Sequence, residues 1–196
     1  MTHDTSKFSF IKGKLEKELS KQVFEHSLEV TEYALKLADA FCYEEKDKVE
    51  LAGLLHDNCK GLPFEELQKL ANSVGYRLSE IDKLVPQTLH AKVGALRAIH
   101  DFGVPDKDIF EAIFYHSTGK QGLGVLGRII YCADKLAPSR NYEEVDRLRK
   151  LEKDGLSKMC LETVRASLAF LLKRDSIIEP STLEFYNELL VENFRG

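Results

Sequence analysis

Residues 20–41 read "SKQVFEHSLEVTEYALKLADAF", and their spacing decides the fold class. Val23, His26, Val30, Ala34, Leu37, Ala38 and Phe41 recur at three- and four-residue steps, one apolar stripe along a long helix. His26 lies inside that stripe. A titratable ring on an apolar face raises a question that the rest of the chain has to answer.

The helical period continues outward. "KDKVELAGLLHD" (46–57) sets Val49, Ala52 and His56 on one face. "PFEELQKLANSVG" (63–75) opens with Pro63, carries Glu65 and Glu66 as first-turn charges, and ends at Gly75. "HAKVGALRAIHDFG" (90–103) and "PDKDIFEAIFYHSTG" (105–119) are each closed by glycine, and "VLGRIIYCADKLAPS" (125–139) is stopped by Pro138. Further helical segments are expected over about 142–174, broken near Gly155, and over about 180–193. No alternating run with hairpin turns, fixed-period repeat or low-complexity linker interrupts this pattern. The expectation is an all-α protein, a single compact helical bundle over residues 1–196, with its core at about 15–150 and helices from about 151 packing on it. The segment "HSTGKQGLG" (116–124) stands apart, because three glycines interrupt two good helices, as in a functional joint or a plain turn.

Composition narrows the function classes. Hydrophobic residues make up 43% of 196, enough for a core. A net charge of −4 argues against a nucleic-acid polymer bound by a broad basic face, but not against a small anion held by a few local cations. The longest apolar stretches, such as "LAFLL", are too short for a bilayer, and "MTHDTSKFSF" lacks the pattern of a signal peptide. Cys42, Cys59, Cys132 and Cys160 form no CxxC pair, which fits a reduced, cytoplasmic protein in which they pack as small hydrophobes.

The titratable residues now fall into place. His26, His56 and His116 share faces with apolar neighbours, Asp134 follows Leu126 and Ile130 at four-residue steps, and His90 opens a helix beside Val93 and Gly94. Any one of these histidines is most simply a core residue hydrogen-bonded to a backbone carbonyl. Five helices each aiming one polar group inward is different, since burying unpartnered polar groups is costly and a shared divalent metal would satisfy all of them. Adjacent residues on a helix point about 100° apart, so His56 and Asp57 reach one centre only at a helix end. "HDNCKGLP", with Gly61 and Pro63, supplies that end, and there Asp57 can bridge two metals while His56 binds one. His100, although followed by Asp101, reads as a structural cation at a helix C-terminus, and His3 as a bystander.

The order His26, His56–Asp57, His90, His116, Asp134 resembles the HD-domain superfamily of metal-dependent phosphohydrolases. More narrowly, "LAGLLHDNCK", "LHAKVGALRA", "EAIFYHSTGK" and "RIIYCADKLAPSRNY" resemble the YqeK family, over about residues 15–150. The resemblance implies an all-α HD-domain bundle that splits diadenosine tetraphosphate symmetrically into two ADP, using two divalent metals, usually iron. It places His26, His56, Asp57 and Asp134 at one metal, and His90, His116 and a bridging Asp57 at the other. It sets Lys60 and Arg140 near substrate phosphates, and Ser117, Thr118, Gly119 and Lys120 along the nucleotide cleft. It departs from the family's pattern where "EEV" follows Tyr142.

Two such metals can bridge a hydroxide and bring its pKa toward neutral, with Lys60 and Arg140 offsetting phosphate charge and Asp57 accepting a proton. The position of cleavage rests on the resemblance. Manganese, cobalt, nickel or zinc suit the same donors as iron. Rival readings are another HD-superfamily nucleotidase or phosphodiesterase, a di-iron oxygenase, and a nucleotide sensor without turnover. No GYP signature of the cyclic-dinucleotide relatives is present. The C-terminal "STLEFYNELLVENF" suits either docking on its own chain or pairing in a homodimer.

Overall fold

The stripe of residues 20–41 folds as read, with the Ser20 hydroxyl accepting the Val23 N–H at its start. The computed structural model describes residues 8–195, so His3 and the first seven residues lie outside it. Among the described residues the helices are α1 (Ser9–Glu18), α2 (Lys21–Ala40), α3 (Lys46–Leu55), α4 (Phe64–Ser73), α5 (Glu80–Leu84) and α6 (Leu89–His100). They continue as α7 (Lys107–Phe114), α8 (Val125–Leu136), α9 (Val145–Arg149), α10 (Leu156–Lys173) and α11 (Pro180–Arg195), and no strand is present among the described residues. None of these helices is long and apolar enough to cross a membrane. The expected all-α bundle is what forms.

Val30, Ala34, Leu37 and Ala38 of α2 are fully buried against α3 and α8, while α7 packs on α3, α6 and α8. Their approach is close because Gly53 of α3 faces Thr31 of α2. A Cβ at Gly53 would lie 2.8 Å from the Thr31 Cα. The C-terminal helices add a layer: α10 packs on α8 and α9, and α11 packs on α10. Phe185 of α11, fully buried, meets the Tyr131 ring of α8 edge-on at 5.2 Å.

Several local expectations are refined. Gly155, at φ +95, breaks the segment after α9 as foreseen. Pro63 precedes α4 as its N-cap, extended at ψ 154, and so is not its first helical residue. Helices α1 and α5 are absent from the periodicity reading, since α1 buries only Ile11 and Leu15 and α5 only Asp82. The five residues of α5 are set by a capping box, Ser79 with Asp82, not by a stripe. Cys59, Cys132 and Cys160 are buried as expected, but Cys42 is exposed, in the turn after α2 at φ +54.

Gly53→Ala is expected to lower stability by roughly 1–3 kcal/mol through overpacking against the α2 backbone, read as a lower urea midpoint at unchanged m.

Candidate metal centre

The last turn of α3 delivers the pair that the sequence singled out. The helix ends at Leu55, His56 keeps a helical φ of −58°, and the chain turns away through Gly61 at φ +84. His56 and Asp57 therefore point into one space, 0% and 2% exposed. Asn58 holds this end in place, donating to the Leu55 carbonyl at 2.7 Å and to the Gly94 carbonyl of α6 at 2.9 Å.

Three histidines are oriented by one local device. The ring Nδ1 of His56 donates to the Gly53 carbonyl, that of His90 to Gln87 and that of His116 to Ile113, each at 2.7 Å and each three residues back. With Nδ1 protonated, each Nε2 carries a lone pair toward the centre. The turn holding Gln87 is itself fastened, since Thr88 Oγ1 donates to Glu179 Oε1 at 2.7 Å.

The donors converge on two carboxylates. Asp57 Oδ1 lies 3.0 Å from His90 Nε2 and 3.4 Å from His116 Nε2, and Asp57 Oδ2 lies 3.4 Å from His56 Nε2. Asp134 Oδ1 of α8 lies 3.1 Å from His26 Nε2 and 3.9 Å from His56 Nε2. Two groups result, each with ligand atoms within 4.8 Å of one another: His26, His56, Asp57 and Asp134, and Asp57, His90 and His116. Asp57 belongs to both. All six residues expected from the sequence are brought together.

The charge state suits a cation. Burial opposes ionisation of Asp57, yet His56, His116 and His90 hold its carboxyl well below the ordinary carboxylate range. Asp134 is likewise held low, with His26 and Lys135 outweighing burial. Burial pushes His116 down to about 4, so its imidazole is neutral at physiological pH. Burial also disfavours the charged form of His56, but the adjacent Asp57 carboxylate draws its pKa above the usual value. His56 Nε2 and Asp57 Oδ1 are buried and make no hydrogen bond among the described residues. Two unpartnered ligand atoms, one nitrogen and one oxygen, among imidazoles and carboxylates are the donor types that a divalent metal takes.

Around this core stand the cations. Lys60 Nζ is 3.6 Å from Asp57 Oδ1 and 3.3 Å from His90 Nε2, with its side chain 44% exposed. Arg140 donates through Nε to the Asp134 carbonyl at 2.7 Å and through Nη2 to Asp134 Oδ1 at 2.5 Å. Lys135, which the sequence reading missed, donates to the His116 carbonyl at 3.0 Å and lies 3.6 Å from Asp134 Oδ2. Its place next to Asp134 in "ADK" was the available signal.

The glycine-rich joint divides. Ser117 Oγ is 3.1 Å from His116 Nε2. The other three residues do not reach the cluster. Thr118 is buried and donates to the Gly119 carbonyl, and Lys120 pairs with Glu111 at 3.1 Å. Gly119, at φ +71, lies under Phe185, where a Cβ would meet the ring at 2.1 Å. His100 is exposed at the end of α6, and Glu65 and Glu66 occupy the first turn of α4, all apart from the cluster.

Two cavities border the centre and share Arg140. One, of about 450 Å³, is lined by Gln22, Glu25, Glu29, His26, Asp57 and Lys60. The other, of about 570 Å³, reaches from Ser117 and Asp134 toward Tyr142 and α10.

Comparison with known proteins agrees with this geometry. The HD-domain family model matches residues 23–139. The chain is 32% identical over 176 residues to the symmetrical bis(5'-nucleosyl)-tetraphosphatase of Bacillus subtilis (strain 168), covering 90% of this chain and 94% of that protein. It is 33% identical over 173 residues to the protein of the same name from Staphylococcus aureus (strain NCTC 8325 / PS 47), covering 86% and 87%. A crystal structure described as a "predicted HD superfamily hydrolase involved in NAD metabolism", from Clostridium acetobutylicum, superposes with a TM-score of 0.89 at 31% identity, covering 94% of this chain and 97% of that one.

Divalent metal is expected to raise the melting temperature of chelator-treated protein. Saturation a hundredfold above the dissociation constant adds roughly 2.7 kcal/mol per site. Asp57→Ala, which removes the donor common to both groups, is expected to abolish most of that rise in a thermal-shift titration.

Proposed function

The chain belongs to the HD-domain family, in the group of the symmetrical bis(5'-nucleosyl)-tetraphosphatases, and from that premise we propose that it hydrolyses diadenosine tetraphosphate symmetrically to two ADP. The observation that carries this reading is Asp57, a buried carboxylate belonging at once to two metal-competent donor groups. We read the site as holding two divalent ions, iron first among the metals that these donors suit. His26, His56, Asp57 and Asp134 would hold one ion, and His90, His116 and Asp57 the other. When bound, the metals supply Lewis acidity toward a phosphoryl oxygen and toward the attacking water.

The protein's own side chains do the rest. The backbone carbonyls of Gly53, Gln87 and Ile113 keep three imidazoles in the tautomer that presents Nε2, so the donors are organised before anything binds. Lys60 and Arg140 are only half-shielded and stand at the edge of the cluster, where they can neutralise a polyphosphate. Arg140 borders both cavities, a suitable position for phosphates joining two nucleosides. Ser117 Oγ, beside His116, supplies a hydroxyl donor at the same edge. The Asp57 carboxylate, held anionic by its histidine neighbours, stays available as the ligand common to both ions. Thr118, Gly119 and Lys120 have no part in this scheme. The chain works as one domain, since α10 and α11 complete the second cavity and the seat of Gly119.

Protein purified anaerobically, supplied with iron(II) and incubated with diadenosine tetraphosphate, is expected to yield ADP alone on anion-exchange chromatography. Asp57→Ala is expected to yield none. ATP with AMP would keep the hydrolase and overturn the symmetric cleavage. Arg140→Ala is expected to lower kcat/KM by about 10²-fold, the usual scale for losing one charge-stabilising donor.

A further inference from the structure

We propose that the cavity of about 570 Å³ between α10 and the loop after α8 is a nucleobase subsite, in which Phe170 and Tyr142 hold the flat ring. The inference rests on the nucleotide substrate proposed above and concerns residues that the metal chemistry does not use.

The cavity has two unlike ends. At one end Ser117, Asp134 and Arg140 belong to the edge of the metal centre. At the other, α10 supplies Ala166, Ser167, Ala169, Phe170 and Leu171, and the loop supplies Tyr142 with the flanking Glu143 and Glu144. Phe170 is 58% exposed and Tyr142 39% exposed, large ring surfaces left toward solvent in the lining of an open cavity. Each ring has one polar neighbour. The Tyr142 hydroxyl donates to the Lys135 carbonyl at 3.2 Å, and the Arg174 guanidinium lies 5.1 Å from the Phe170 ring centre, covering one face. Alanines at 166 and 169 leave room between them and the loop.

The volume falls within the range of small-molecule sites, which combine apolar walls with a few polar groups. The neighbouring cavity contrasts with it, since its lining has no Phe, Tyr or Trp and includes Gln22, Glu25, Glu29 and Lys60. A ligand with a flat apolar end and an anionic end matches this polarity, its base against α10 and its phosphates at Arg140. A docking peptide has no need of a cavity that ends on Asp134. Stacking on an aromatic tolerates any base, because every base has a π-face, so the subsite selects nucleotides over bare polyphosphate more than one base over another.

The test uses manganese-loaded protein and calorimetric titration with ADP and, separately, pyrophosphate. Phe170→Ala is expected to weaken ADP about tenfold, the middle of the range for losing one stacking partner, and to leave pyrophosphate binding unchanged. Phe170→Trp is expected to restore ADP affinity. ADP binding indifferent to residue 170, or equal losses for ADP and pyrophosphate, would overturn the subsite. So would a wild type that binds pyrophosphate but not ADP. The two readings separate cleanly. A wild type that cleaves diadenosine tetraphosphate while Phe170→Ala binds ADP normally overturns the subsite alone. A wild type whose ADP affinity depends on Phe170 but which leaves diadenosine tetraphosphate intact supports the subsite and overturns the hydrolase.

Discussion

Asp57 is 2% exposed at the meeting point of α3, α6 and α7, and a carboxylate so placed needs compensation from each element around it. An isolated buried carboxylate would protonate before the protein tolerated it. Here three imidazoles and Lys60 surround it and hold it ionised. That arrangement asks each of three helices to begin or end at the same point. Helix α3 stops at Leu55, α6 starts one residue before His90, and α7 stops two residues before His116. Helices α2 and α8 pass alongside and contribute His26 and Asp134 from their interiors.

The histidines owe their orientation to backbone rather than to acidic side chains. A ring at a helix end can reach back to the carbonyl three residues earlier, a group that the fading helix leaves without its usual partner. His56 and His116 use the ends of α3 and α7 in this way, and His90 uses the turn before α6. Gly53 has two tasks as a result: its carbonyl holds His56, and its missing Cβ lets α3 lie against Thr31 of α2. Packing and ligand geometry thus depend on the same residue.

The C-terminal third is joined to the centre at several points. Phe185 of α11 lies on Gly119, which shapes the turn after His116, and Glu179 accepts from Thr88 beside the carbonyl that holds His90. Glu179 also pairs with the buried Lys92, which pairs in turn with Asp82 of α5. Such a buried cluster is weak support for stability but fixes one relative placement of its elements. These contacts tie α11 to the joint that carries Ser117 and His116, and they account for the glycine there: the "HSTG" segment is close-packed under an aromatic ring, with one face at the cluster.

Much of this was legible in one dimension. A period of 3.6 with glycine and proline stops specified the helices, because amphipathic burial is local along the chain. The same period placed His26, His56, His90, His116 and Asp134 on inward faces, and the resemblance grouped them as the structure does. Helices α1 and α5 escaped because α1 buries only Ile11 and Leu15 and α5 is a short capped turn without a stripe. Thr118, Gly119 and Lys120 were expected along the cleft because "HSTGK" resembles the family's small-residue turn. In the fold Gly119 lies under Phe185 of α11, Thr118 bonds the Gly119 carbonyl and Lys120 pairs with Glu111 of α7. Lys135, Asn58 and the cavity at Phe170 likewise depend on partners far away in sequence. The sequence by itself determined the helices, their buried faces and the ligand types, since these follow from local period and residue chemistry. Tertiary structure alone decided which carboxylate oxygen faces which imidazole, which cations stay accessible and where two cavities open, since those depend on the close approach of surfaces separated by up to a hundred residues or more.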